Sequence, residues 1–178
     1  MKIIEISREH IEPLSRFFAE LSDRDRTFID EDVTDPHIVA SLPDRPGQRW
    51  VALDEADGAK IAGTVSIRPH SGWSNHVATL RLVVHPDHRH GGVGTTLARH
   101  ALASALNHGL RKVQVEIAAD HESALTMFAE LGFTGEALLR DHIHDGDGHY
   151  RDLVIVAHIV DDTWAAMDTV GISDELGA

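Results

Sequence analysis

The sequence predicts a mixed β-sheet domain of the α/β (α+β) class. Short stretches in which apolar residues alternate, the period of half-buried strands, occur near both ends of the chain and in its middle. Other stretches carry apolar residues three and four positions apart, which is the period of an amphipathic helix. Some strands are separated by these helices and others by tight turns, so parallel and antiparallel pairing are both expected in one sheet.

The first part of the chain predicts one strand and two helices. Residues 3–6 are rich in isoleucine and mark a short strand, and residues 9–21 follow helical spacing after Ser7, a favourable N-cap. Residues 22–35 are dense in charge. Asp35-Pro36 then begins a second, shorter helix, because proline fits the first helical turn.

The middle of the chain predicts three strands and a long helix. Residues 49–53 and 61–67 flank an Asp57-Gly58 turn and are expected to form an antiparallel hairpin, followed by a strand at 79–84. After a glycine-rich loop, apolar residues recur on one stripe over roughly four helical turns, up to a stop at Gly109.

The last part predicts a strand, a helix and two further strands. Residues 113–117 alternate, residues 124–131 follow helical spacing up to Gly132, and two strands flank a turn at residues 145–148. One domain over residues 1–160 is therefore expected. Residues 161–178 form an acidic tail, in which Trp164 and Met167 are placed to anchor a short helix to the body or to a second subunit.

Composition excludes several classes of protein. The chain has 178 residues and a net charge of -13, the wrong sign for a general binder of nucleic acid or of anionic membranes. It has no cysteine, which excludes disulfides and thiolate metal sites and is compatible with a reducing cytoplasm. It contains no apolar run of membrane-spanning length and no signal-peptide pattern. A cytoplasmic protein with a cationic or neutral partner is expected.

The segment between the strand at 79–84 and the long helix carries the strongest functional signal. A glycine-rich turn opens directly into the helix, so unpaired backbone N–H groups and the positive end of the helix dipole point to one place. Such a place suits a phosphate or diphosphate. Arg89 adds a positive charge, and Gly91, Gly92 and Gly94 leave room for a ligand to approach the backbone.

Two familiar phosphate loops do not fit this segment. A Walker loop requires lysine after its last glycine, and here Thr95 follows Gly94. A dinucleotide fingerprint requires a third glycine where Leu97 stands. The alternative that the glycines only form a tight turn also stays open.

The motif Arg89-x-x-Gly92-x-Gly94, preceded by Leu82-x-Val84-x-Pro86, resembles the acetyl-CoA-binding motif of the GNAT superfamily of N-acetyltransferases. Leu131-Gly132-Phe133 is similar to the ending that this family usually has after the following helix. The resemblance implies a mostly antiparallel central sheet flanked by helices, and the transfer of an acetyl group from acetyl-CoA to an amine within a ternary complex. It also implies that the pantetheine arm pairs with the backbone of Leu82, Val83 and Val84. The diphosphate would be held by Arg89, His90, Gly91, Gly92, Val93, Gly94 and Thr95.

The resemblance also suggests catalytic residues. Glu116 matches a catalytic glutamate of the ribosomal-protein acetyltransferases in this superfamily, but His121 and Phe128 stand where those enzymes have asparagine and tyrosine. Glu116 is the candidate general base, and a polar residue on the solvent side of its strand is an equal alternative. Phe128 cannot donate a proton to the departing thiolate, so His121 or water is the candidate acid. A solvent-exposed helix start is the competing interpretation of His121.

The acceptor and the remaining histidines leave alternatives open. The acidic residues at 23–35 suggest, through the resemblance, a rim that attracts a cationic amine, although a solvated charge run is a commoner explanation. The histidines at 85, 88 and 90 and at 142 and 144 lack metal-ligand spacing on a helix, so no metal is expected. An acetyl-CoA sensor without turnover, or a structural domain that dimerises through residues 161–178, are the rival functions.

Overall fold

The computed structural model describes residues 1–27, 29, 31–57, 60–146 and 148–160. Seven strands form one sheet in the described part of the chain. In chain order they are β1 (Lys2–Glu5), β2 (Gln48–Asp54), β3 (Lys60–Pro69), β4 (Val77–Val84), β5 (Lys112–Ala118), β6 (Thr134–His144) and β7 (Tyr150–Ile159). Across the sheet the order is β1-β2-β3-β4-β5-β7-β6.

Five α-helices pack around this sheet in the part of the chain that is described. They are α1 (Ile11–Glu20), α2 (Asp23–Arg26), α3 (Pro36–Ser41), α4 (Val93–Asn107) and α5 (Glu122–Glu130). The start of α3 is as predicted: the Asp35 side chain accepts the N–H of His37, and Pro36 occupies the first turn. No helix among the described residues is long and apolar enough to cross a membrane.

Two apolar cores lie on the two faces of the sheet. The face that carries α4 and α5 is packed with residues such as Leu80, Leu97 and Val113, all fully buried. The opposite face packs against α1 and α3 through Leu14, Phe17 and their neighbours. Since both faces are covered, a central strand such as β2 has no exposed residue, whereas the edge strand β6 is largely exposed.

The sheet consists of two antiparallel halves joined by one short parallel contact. Strands β1 to β4 form a meander, and β7 lies between β5 and β6 with antiparallel pairing on both sides. The parallel contact between β4 and β5 ends after three residue pairs, at Thr79 and Gln114. Beyond this point the two strands separate, and a gap opens between residues 80–84 and 115–118.

The structure confirms most of the predicted elements and adds two features. Helix α2 lies in the charge-dense segment, and no periodic pattern indicated it because all four of its residues are charged. Strand β7 inserts beside β5, so the last hairpin does not follow chain order in the sheet. The expected tail helix and the turn residues Gly58 and Asp147 lie outside the described residues.

Candidate active site

The gap between β4 and β5 opens into a large cleft. Its volume is about 960 Å³, at the upper end of the range for small-molecule sites. Its walls come from the ends of both strands, from the loop before α4, from α5 and from α2. Most of the strand and loop residues that the sequence singled out as a binding site lie around this one opening.

The β4 edge of the cleft offers backbone hydrogen-bonding groups. The N–H of His85 donates to the carbonyl of Ala62, which fixes the residues that face β3. The backbone N–H and C=O groups of successive residues point to opposite sides of a strand. Val83, like His85, therefore directs these groups toward β3, whereas Leu82 and Val84 direct theirs into the gap. The predicted pairing edge is therefore supplied by Leu82 and Val84, and Val83 contributes its buried side chain to the other core.

The glycine-rich loop ends in an uncapped helix N-terminus. Gly92 occupies the N-cap position of α4 with a left-handed φ of 79°, and it has no side chain to cap the helix. The N–H groups of Val93, Gly94 and Thr95 have no partner within the helix geometry. A Cβ on Gly94 would lie 3.0 Å from the sulfur of Met127, so this glycine keeps α5 close to α4. These features suit an anionic ligand.

Arg89 is placed differently from the sequence-based expectation. Its guanidinium is paired with a carboxylate, donating from Nη2 to Asp25 Oδ1 at 2.6 Å, and its Nε donates to the carbonyl of Val84 at 3.3 Å. Burial opposes ionisation of Asp25, but hydrogen bonds from Ser22 and the charge of Arg89 hold the pKa of this carboxyl below its ordinary value. The positive charge of the loop is thus already matched by a negative charge from α2.

The histidines before the glycines brace the loop. The His85 ring is buried, and its Nδ1 accepts the N–H of Asp87, so its Nε2 donates to Glu20 Oε2 at 2.8 Å. This hydrogen bond and the charge of Lys60 hold the pKa of Glu20 below its ordinary value. His88 Nε2 lies 3.2 Å from an oxygen of Asp54. These partners fix the loop, and no three metal-binding side chains converge within the described residues.

Glu116 lies at the cleft in an ion pair. Arg81 Nη2 donates to Glu116 Oε2 at 2.7 Å, and the two side chains extend from β4 and β5 just beyond the last parallel residue pair. They lie on the sheet face that carries α1, because the adjacent residues Leu80 and Val115 belong to the α4 core. The glutamate therefore reaches the cleft from the side opposite to α4 and α5.

His121 and Phe128 both line the cleft, one from the start of α5 and the other from within this helix. His121 is the N-cap of α5, and its Nδ1 accepts the N–H of Ala124 at 3.4 Å. Phe128 is buried, with its ring 5.0 Å from that of Phe133 in an edge-to-face contact. The N-cap position brings His121 to the cleft, and the helix brings Phe128 there. The phenyl ring of Phe128 has no proton to donate.

The acidic segment at 23–35 is mostly engaged in local structure. Among its described members, Asp23 pairs with Arg26 within α2, and Asp32 accepts the N–H of Thr34. Glu31 forms a buried ion pair with Arg49 at 2.6 Å. Among the described acidic residues of this segment only Asp25 lines the cleft, and Asp30 lies outside the described residues. The predicted acidic rim is therefore much smaller than the composition of the segment suggested.

The cleft gathers most of the predicted site residues and several that the sequence did not indicate. The predicted residues that line it are Leu82, Val83, Val84, Arg89, His90, Gly92, Gly94, Thr95, Glu116 and His121. Gly91 is exposed beside it, and Val93 is turned into the apolar core. Asp25, from the predicted acidic rim, also lines the cleft. Arg81 and Asp120 line it too, and only a pairing across the sheet or between loops brings these two there.

Comparisons with known proteins agree with this geometry. A family model described as the Acetyltransferase (GNAT) family matches residues 11–133, well over half of the chain. A search of curated protein sequences gives no match.

Solved acetyltransferases share the fold. The ribosomal-protein-alanine N-acetyltransferase of Brucella melitensis has a TM-score of 0.73 and 18% identity, with 89% of this chain and 99% of that chain covered. A spermidine N-acetyltransferase chimera from Vibrio cholerae gives 0.74 and 18%, with 90% and 96% covered. A proposed acetyltransferase of Salmonella typhimurium, solved with acetyl-CoA, gives 0.75 and 14%, with 90% and 94% covered.

The family match, the shared fold and the cleft beside an uncapped helix N-terminus lead to one assignment. The chain belongs to the GNAT family of acetyltransferases, acyltransferases that use acetyl-CoA as co-substrate and act on amines.

Proposed function

We propose that this protein is an N-acetyltransferase that moves the acetyl group of acetyl-CoA to a primary amine by direct attack in a ternary complex, and that residues 1–160 form its catalytic domain. The observation that carries the proposal is the continuity of the β4 edge with the N-terminus of α4. Leu82 and Val84 offer backbone groups to a pantetheine arm, and the glycine-rich loop offers helix N–H groups to a diphosphate.

The reaction removes two protons from the acceptor nitrogen and returns one to the sulfur of CoA, so one proton is released overall. The acceptor arrives as an ammonium, and its nitrogen becomes nucleophilic only after losing a proton. Glu116, which the Arg81 ion pair holds at the cleft, accepts that proton. As the new C–N bond forms, the nitrogen loses its second proton to solvent, the C–S bond breaks, and the thiolate of CoA takes a proton. His121 supplies this proton. When both ring nitrogens of His121 are protonated, Nδ1 no longer accepts the N–H of Ala124.

The acceptor that best fits the cleft is cationic. The described lining carries five carboxylates, of Asp25, Glu116, Asp120, Glu122 and Glu130, and three guanidinium groups, of Arg24, Arg81 and Arg89. Together with the net charge of -13, this excess of negative charge favours an ammonium over an anionic group as the acceptor. Polyamines, aminoglycosides and protein amines meet this requirement. A cytoplasmic location and a homodimer formed through residues 161–178 stay predictions.

The first experiment measures thermal stability with acetyl-CoA, with CoA and without ligand. CoA thiol release is then followed with spermidine, an aminoglycoside, lysine- and alanine-bearing peptides, and glutamate as the anionic control. We expect stabilisation by both CoA forms, and thiol release that depends on a cationic amine. Stabilisation without release from any amine would contradict the catalytic proposal and favour a sensor, and no stabilisation would contradict the ligand assignment.

A Glu116→Gln variant tests the base. Glutamine keeps the size of the side chain and an oxygen that accepts from Arg81, so the site geometry is preserved while the proton acceptor is lost. We expect kcat to fall about 10²- to 10⁴-fold, with little change in acetyl-CoA affinity and loss of the corresponding step in the pH–rate profile. Glu136→Gln on β6, which removes an equal charge from an ion pair with Lys112, is the matched control. An unchanged pH–rate profile would exclude Glu116 as the base.

A His121→Asn variant tests the acid. Asparagine is a favourable N-cap, so α5 keeps its first-turn hydrogen bond while the titratable ring is lost. We expect the melting temperature to stay close to that of the parent and kcat to fall at least about tenfold. Parental kcat in this variant would show that solvent water protonates the thiolate.

A further inference from the structure

Helix α2 is tied to both sides of the cleft. On one side, Arg24 donates from Nη2 to Asp120 Oδ2 at 3.1 Å, on the loop that leads into α5. On the other side, Asp25 accepts from Arg89 at 2.6 Å, on the loop that leads into α4. All four residues line the cleft, so this short helix bridges the two loops that flank its opening.

The Asp25 carboxylate is held in one position. Its Oδ2 accepts from the hydroxyl of Ser22 at 2.7 Å and from the backbone N–H of the same residue, while its Oδ1 accepts from Arg89. The side chain is only 16% exposed. An ion pair with one fixed partner and limited solvent contact is stronger than a pair of two mobile surface groups.

Arg89 is the cation of the loop at which the ligand's diphosphate is expected. Its Nη2 is directed to Asp25 and its Nε to the carbonyl of Val84, which lies on the pantetheine edge. A guanidinium that already faces a carboxylate attracts a second anion less strongly, because the charge that the second anion meets is largely neutralised. The strongest attraction for a diphosphate is available only when the carboxylate moves away.

We propose that Asp25 competes with the diphosphate of acetyl-CoA for Arg89, so that the ligand must break the tie between α2 and the loop before α4. The proposal rests on the proposed function, since it needs the diphosphate at this loop. By linkage, whatever favours the free form of α2, including an acceptor bound beside it, also favours acetyl-CoA. Asp25 is thus a positioning residue that couples the two sides of the cleft.

The test measures the Kd of CoA by calorimetry at fixed salt for four variants. Asp25→Asn keeps an oxygen for Ser22 but removes the charge. Asp23→Asn makes the same change of charge on the same helix, at a side chain that is 84% exposed and pairs with Arg26. Arg89→Gln, alone and with Asp25→Asn, completes a double-mutant cycle. Pantetheine, which has no diphosphate, is the control ligand.

We expect CoA to bind about three- to tenfold more tightly to Asp25→Asn, with less than about a twofold change for Asp23→Asn. The gain should vanish in the Arg89→Gln background, and pantetheine should bind all four variants alike. An unchanged or larger Kd for Asp25→Asn would overturn the competition. So would an equal increase in CoA affinity when Asp25→Asn is combined with Arg89→Gln. Failure of the parent protein to bind CoA at all would instead refute the proposed function.

Discussion

Variants at Gly92 can separate two requirements of this position, a left-handed backbone conformation and room for an anion at the N-terminus of α4. The φ of 79° at Gly92 is left-handed, and a Cβ built there would meet no atom within 4 Å, so the cost of alanine is conformational and not steric. That cost is about 1–2 kcal/mol, which for a chain of this size lowers the melting temperature by about 3–6 °C. Gly91→Ala is the reference, because the only neighbour of its Cβ is the His88 carbonyl at 3.7 Å.

Gly92→Asp adds a charge to the same backbone change. Aspartate tolerates the left-handed region better than alanine does, and its carboxylate at the N-cap can accept the free N–H groups of α4. This variant should therefore be at least as stable as Gly92→Ala. Two unit charges about 5 Å apart repel by about 1–3 kcal/mol at surface dielectric constants, so CoA should bind roughly 30-fold more weakly than to Gly92→Ala.

Thermal melting and calorimetric titration with CoA on the three variants complete the test. We expect stability and affinity to move in opposite directions between Gly92→Ala and Gly92→Asp. Equal affinities for CoA in these two variants would refute the reasoning, because a loop that binds an anion through the N-terminus of α4 must respond to a carboxylate placed there. The glycines would then serve only to form a turn.

Two further predictions concern the folded state. His100 keeps contact with solvent, but packing against Trp50 partly desolvates its ring and lowers its pKa. The unfolded chain therefore binds more protons below about pH 6.5, and stability falls as the pH decreases through this value. His100→Gln should show a slightly smaller loss between pH 7.5 and 5.5 in thermal melts, and an equal loss would contradict the assignment. The ion pair of Glu31 and Arg49 is buried, so Glu31→Gln should lower the unfolding free energy by about 2–4 kcal/mol in urea titrations. Asp44→Asn, at an exposed pair, should cost less than about 0.5 kcal/mol, and similar losses in both variants would contradict the role of burial.

Local patterns predicted what depends on local chain geometry. The long apolar stripe and its flanking glycines predicted α4, since Gly92 and Gly109 adopt the left-handed conformations that a cap and a stop require. Helix α2 escaped prediction because its four charged residues bury no face and it is held by a capping box and ion pairs. The loop itself could be found from glycine spacing alone.

Long-range contacts account for the part of the site that the sequence did not predict. Arg89 and Asp25 are 64 residues apart, and Arg81 and Glu116 are 35 apart. Nothing in the pattern of either segment indicates such pairs, because an arginine at a loop or on a strand fits solvent, an ion pair or a ligand equally well. The insertion of β7 beside β5 is equally invisible, since apolar alternation gives the face of a strand and not its neighbour in the sheet.

The short contact between β4 and β5 also affects how easily the sheet opens locally between these two strands. Three residue pairs carry the parallel contact between the meander and the β5–β7–β6 half, and the cleft continues along the same line. An extended ligand lying there would act as a surrogate strand for the missing pairs. Hydrogen exchange should accordingly slow on both sides of this seam when CoA binds, with the backbone amides of Leu82 and Val84 among those protected, because the ligand supplies hydrogen bonds where the two halves of the sheet do not pair.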